Sequence, residues 1–137
     1  MGQRERLNDY LESVRNVNFQ WGKFDCLIFT NNAFKAMYGE GWADDWLGRY
    51  MDGDRFISRS ELRKEYKHST FVPAVDKKLT RINYVPPLGA LVASDIEQRF
   101  AIGYVLGVSV GSKVCYVGKS GLVWRPFETV TYSWIKQ

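Results

Sequence analysis

One histidine, His68, and two cysteines, Cys26 and Cys115, are all that this chain of 137 residues offers to soft-metal or thiol chemistry. The cysteines stand far apart, with no Cys-x-x-Cys or Cys/His spacing, so a zinc site is not expected and nothing asks for a disulfide. No stretch approaches the roughly 18 consecutive apolar residues that would cross a membrane. The first residues, Gly2-Gln3-Arg4-Glu5-Arg6, are charged and lack the apolar run of a signal peptide, which predicts synthesis and folding in a cytosol-like compartment. Blocks of like charge are missing too. Acids interleave with bases at Arg4-Glu5-Arg6, Arg63-Lys64-Glu65 and Asp76-Lys77-Lys78, so the net charge of +4 reads as solvated helix faces rather than a nucleic-acid footprint. There is no internal repeat, low-complexity tract or Pro/Gly/Ser linker, and residues 1–137 are expected to form a single domain.

What the chain does have is aromatic bulk: five Trp, eight Tyr and eight Phe, within a hydrophobic fraction of 45%. Side chains of this kind fill a core or furnish an interface. The apolar spacing is helical up to about residue 80 and strand-like from about residue 88. Leu7, Tyr10, Leu11 and Val14 fall at i, i+3, i+4 and i+7, the stripe of an amphipathic helix. A second helix is predicted from Asp25, a good N-cap, to Gly39, and it is apolar around much of its circumference. A short helical turn is predicted at 43–50, a helix from Ser58 to about Lys67, and a last short one from Pro73 to about Leu79. Beyond Pro86-Pro87, the runs 90–93, 100–110, 113–117 and 122–125 read as strands joined by hairpins at 95–98, 111–112 and 118–121. Helices followed by an antiparallel meander define the α+β class.

The stretch Phe19-Gln20-Trp21-Gly22-Lys23-Phe24-Asp25-Cys26 places a thiol in the first turn of a core helix, directly after an N-cap aspartate. Free N–H groups and the dipole at such a terminus favour thiolate over thiol, and nucleophilic cysteines are commonly built this way. Cysteine is also among the most buried residue types, so Cys26 serves equally as a small hydrophobe on a core helix. The pattern alone leaves both roles open.

Trp21-Gly22-x-x-Asp25-Cys26 followed by an apolar helix resembles the nucleophile motif of the NlpC-type cell-wall peptidases, which have a papain-like fold. It is closer still to a small phage protein family that shares this fold, with Gly39, the segment 43–47 and Tyr50 following in order. Pro87-Leu88-Gly89-Ala90-Leu91-Val92 resembles the start of the first peptidase strand, and Ala101-Ile102-Gly103-Tyr104-Val105-Leu106-Gly107 the strand that opens with the catalytic histidine. Gly121-Leu122 and Ser133-Trp134-Ile135 are similar to the ending of the phage family. The resemblance implies a papain-like domain, its N-terminal helices packed on a C-terminal antiparallel sheet. It also implies a setting in a phage tail tip or baseplate, with synthesis in the host cytoplasm, location in the virion, and other tail proteins as partners.

The departures from that pattern bear on activity. Ala101 stands where the peptidases carry their histidine, and the following strand offers Lys113 and Tyr116 but no His, Asn or Asp. Without a base in hydrogen-bond reach, a cysteine of this type is not activated. His68 follows a charged helix and reads as a surface residue complementing its dipole. The expectation is a degenerate enzyme in a structural role, with Cys26 as an inactive nucleophile, Asp25 as the cap beside it and Ala101 marking the lost histidine. The alternative is a cysteine hydrolase of peptidoglycan peptides acting during phage entry, its base supplied by His68, water or a partner. A small binding module for nucleic acid or glycan is a third possibility. No cofactor or metal is expected: Asp44-Asp45 and Asp52-Gly53-Asp54 are carboxylate-rich, and the second resembles a fragment of a calcium loop but lacks the spacing of the remaining ligands and the terminal Glu. Gly103, Gly107 and Gly111 precede no helix and form no phosphate loop. Trp21, Trp42, Trp46 and Tyr50 are the candidate groove or interface aromatics, with core packing as the other reading of Trp42, Trp46 and Tyr50.

Overall fold

The computed structural model describes residues 2–20, 22–47, 51–52, 55–56, 72–95 and 105–137, with only the backbone for 51–52 and 55–56. Helix α1 (Gln3–Val14) buries Leu7 and Leu11 and packs Tyr10 and Val14 against the core, the stripe its spacing predicts. Helix α2 (Cys26–Tyr38) starts at the Asp25 N-cap and ends at Gly39, whose φ of 86° is the left-handed turn that glycine adopts without strain. Phe29, Ala33, Phe34 and Met37 are buried along it, as are the polar Thr30 and Asn31. A helix buried on so many sides must find partners for its last carbonyls. Arg6 of α1 supplies them, donating to the carbonyls of Ala36 and Met37 at 3.0 Å each.

Helix α3 (Val72–Asp76) is shorter than predicted, and Asp44–Trp46 is a single 3₁₀ turn where a longer helical turn was expected. The helix predicted over 58–67 lies outside the described residues. Strands β1 (Met51–Asp52) and β2 (Arg55–Phe56) form a small hairpin. The main sheet has six antiparallel strands: β3 (Thr80–Ile82), β4 (Leu91–Ser94), β5 (Val105–Ser109), β6 (Val114–Gly118), β7 (Gly121–Arg125) and β8 (Tyr132–Ile135). Their order is β3-β8-β4-β5-β6-β7, so the predicted meander β4 to β7 is present. The last strand, however, inserts between β4 and β3, two strands that the sequence reading did not place in one sheet. The chain is thus α+β, with α2 packed on β5 and β6.

Both faces of the central strands are buried, which is why Leu91-Val92-Ala93 reads as a continuous apolar run rather than an alternation. Register places Leu106, Val108 and Cys115 on one face and Gly107, Val114 and Tyr116 on the other. The Tyr116 face is roofed by the 3₁₀ turn Phe127–Thr129, and the Tyr116 hydroxyl lies 3.0 Å from the Thr129 hydroxyl. No described helix is long and apolar enough to cross a membrane.

Gly107 shows how tightly the sheet packs under this roof. A Cβ there would come within 2.5 Å of the Cys115 carbonyl oxygen and 2.6 Å of the Tyr116 ring. Gly107→Ala is therefore expected to destabilise the fold by about 1–3 kcal/mol, as overpacking does. Urea denaturation checks this, and an unchanged midpoint would mean that the strands separate without cost.

Candidate functional site

Cys26 opens α2 and is 2% exposed. Its position follows from a tight loop that Asp25 closes on itself. Gln20 and Phe24 form an isolated bridge, and Gly22 at the tip has a φ of 75°. One carboxylate oxygen of Asp25 accepts the Gly22 N–H and the other the Ile28 N–H, both at 2.9 Å. The glycine and aspartate of the motif thus have complete structural work: one supplies the left-handed turn, the other ties the loop to the first helical turn.

The environment of the sulfur opposes ionisation. Burial first, and like-charge repulsion from the neighbouring Asp25 carboxylate second, push the Cys26 thiol up to about 12. Backbone N–H groups of Leu106, Cys26 and Leu27 work in the opposite direction without reversing the outcome. The helix terminus therefore does not produce a reactive thiolate here. Cys115, on β6, is fully buried and also pushed up to about 12 by burial. Both thiols are free.

Of the remaining predicted site residues, Trp42 and Trp46 are among the described ones. Trp42 is core rather than groove, being 6% exposed with its indole N–H donating to the Thr30 hydroxyl at 3.1 Å. Trp46 packs edge-on against it, with ring centroids 5.6 Å apart, and is covered by the Lys78 ammonium 4.9 Å from its centroid. Trp21, Tyr50, Ala101 and His68 lie outside the described residues. Ala101 precedes β5, the strand whose Leu106 amide faces the Cys26 sulfur. Among the described residues, no three His, Cys, Asp or Glu side chains come together as a metal site.

The sequence reading missed a buried polar link. Asn31 donates to Asp44 at 2.7 Å and accepts the Ala43 N–H at 2.7 Å, which fastens the 3₁₀ turn to the middle of α2. That hydrogen bond, with the Gly41 N–H and nearby Lys35, holds the Asp44 carboxyl below its usual range. Asp44 thus acts as a brace between the turn and the helix. The signal was an asparagine, Asn31, directly among the core positions Phe29, Ala33 and Phe34.

Fold and site together define an α+β domain that seals a cysteine at the start of its core helix. Residues 2–135 match the family described as a domain of unknown function, DUF6950, and the chain belongs to that family. A comparison with curated proteins gives no match.

Two outcomes are expected from these contacts. Asp25→Ala removes both hydrogen bonds at the loop and is expected to cost about 1–2 kcal/mol in urea denaturation, with Asp25→Asn recovering part of the loss. The thiols add a pH dependence. A group whose pKa is raised on folding contributes stability that is whole below its unfolded pKa and is lost as pH rises through the folded one. For Cys26 and Cys115 that window runs from the ordinary value of 9.0 to about 12. Denaturation midpoints measured from about pH 8 to about pH 11 should fall more steeply in the native protein than in a Cys26→Ala/Cys115→Ala variant. Equal slopes would show that the thiols ionise as freely folded as unfolded.

Proposed function

We propose that this protein is a structural or assembly component of a phage tail tip or baseplate, built on a catalytically degenerate papain-like domain. The observation that carries the loss of catalysis is the sealed Cys26, its thiol pushed to about 12 beside a buried carboxylate. A cysteine nucleophile works as a thiolate with solvent or substrate access, and this one has neither property. Ala101 at the histidine position and the single histidine of the chain support the same reading. The motif resemblance supplies the phage setting. A cysteine at the head of a core helix, packed on an antiparallel sheet, is the layout that the resemblance implies.

In this role the old nucleophile segment is retained for what it does to the fold. Gly22, Asp25 and Cys26 shape and fill the start of α2 whether or not chemistry follows. Two measurements test the proposal. Purified particles of the phage that encodes the chain should contain it at a fixed copy number by quantitative mass spectrometry; its absence from particles would sink the structural role. Isolated peptidoglycan incubated with the protein should release no peptide fragments, and Cys26→Ala should behave identically. Release that disappears in Cys26→Ala would restore the hydrolase.

A further inference from the structure

The two edges of the six-stranded sheet are treated differently. Along β7, the chain leaving α1 runs close beside the strand. The Leu122 N–H donates to the Arg15 carbonyl at 2.9 Å and the Phe19 N–H to the Gly118 carbonyl at 3.2 Å. A Cβ at Gly121 would meet the Arg15 carbonyl oxygen at 2.6 Å, so the chain after α1 covers the start of that edge. Along β3, no described strand pairs with the outer side. Thr80 and Arg81 are exposed there and Ile82 is half-buried.

Beside this open edge lies a groove of about 950 Å³. Register puts Thr80, Ile82, Ser133 and Ile135 on one face of β3 and β8, and this face forms the floor. Phe127, Val130, Tyr84 and Val85 also line the groove. Tyr84 and Val85 are 58% and 66% exposed, and Val17 is the only other exposed large hydrophobic among the described residues. Their segment is anchored, because the Pro86 carbonyl accepts the Ser109 hydroxyl at 2.9 Å within the core. Two adjacent apolar side chains are thus displayed on a fixed support at the mouth of a groove.

Charge narrows the occupant. Among the described residues, Arg81 is the only charged one lining the groove, and no carboxylate does so. It sits on the opposite face of β3, against the Tyr132 ring at 5.5 Å and Asp76 at 3.4 Å, with its side chain 46% exposed. A guanidinium has donors enough for a second carboxylate. A second copy of this chain is a poor fit: antiparallel pairing of β3 with itself about Arg81 would set two guanidiniums directly opposite, and like charges in that position destabilise.

We propose that the β3 edge docks an extended segment of a partner protein by strand addition. The segment presents apolar side chains at alternate positions to the groove and an acidic side chain opposite Arg81. Backbone hydrogen bonds to β3 supply the common part of the affinity, and the groove with Arg81 supplies selectivity. This docking surface does not depend on the phage-tail reading, since it rests on the open edge and the groove alone.

A random linear peptide library displayed for selection on the immobilised full chain provides the probe. Selected peptides are expected to alternate apolar residues around an Asp or Glu. Synthetic versions should lose binding when N-methylated along one edge and keep it when methylated along the other, because strand addition uses only one edge of the guest. Binding should fall at least about tenfold in Tyr84→Ala/Val85→Asp and in Arg81→Glu, a loss in the range of interface hot spots. Hydrogen exchange at residues 80–85 should slow when peptide is added. The proposal is overturned by failure to select any peptide, by equal tolerance of both methylation patterns, by binding that survives both variants, or by sedimentation showing that the edge is taken by a second copy. Circular dichroism of the variants confirms the fold, and the substituted side chains are solvent-exposed enough for it to survive.

Discussion

The Asp25 carboxylate holds the Gly22 and Ile28 N–H groups at once, and the local order of the domain begins there. It turns the loop after α1 back on itself, fixes where α2 starts and so fixes which residues of α2 enter the core. Cys26 is buried because the helix starts where it does. Phe29, Ala33, Phe34 and Met37 then fall under the sheet in sequence. The same carboxylate raises the cost of ionising the thiol next to it, so one residue both fixes the position of Cys26 and opposes its ionisation. A catalytic site of this type would need a positive partner to outweigh that repulsion. The sequence has one histidine and has alanine at the position where the resemblance expects a base.

A second layer of order comes from polar groups that the core admits only because they are paired. Asn31 binds Asp44 and the Ala43 amide, the Thr30 hydroxyl takes the Trp42 indole, and Asp76 accepts the Trp134 indole at 2.8 Å. Each bond joins segments distant in sequence, and each fixes the pose of a side chain that packing alone would leave adjustable. The aromatic wealth of the chain is spent largely in this way. Trp42, Trp134 and Tyr116 are interior residues with their polar ends satisfied, and Trp46 is a half-buried continuation of the same cluster. Tyr84 stands apart from them, in the open.

Helices α1 and α2 were legible because each carries a local signal: the stripe Leu7, Tyr10, Leu11 and Val14 for one, and the Asp25 cap with the Gly39 stop for the other. Strands β4 to β7 were legible because apolar runs alternate with glycine-containing turns. Strands β3 and β8 were not. They are three and four residues long, too short for a periodic signal, and they exist because Thr80 to Ile82 finds Ser133 to Ile135 across more than fifty positions of sequence. The site was legible in outline, since the position of Cys26 at the helix start was right. The pattern left open whether its thiol ionises readily. Burial and the proximity of Asp25 raise its pKa, and neither magnitude can be read from spacing. The sequence left open what Asp44 and Asp45 do: Asp44 braces Asn31, and Asp45 pairs with Lys78.

Strand β8 also governs the order in which the sheet is built. It lies between β3 and β4, yet it follows every other strand of the sheet along the chain. Hairpins β4 to β7 can zip locally as their turns form, whereas β3 has no neighbour until β8 arrives. Long-range pairings of this kind are the slow ones, because a large loop must close before any contact rewards it. Until Tyr132 to Ile135 pairs, β4 has a strand partner on one side only. Arrival of that short segment fills the other side, buries Trp134 and brings Asp76 and Arg81 into register, so the final residues of the sheet act as its closing latch.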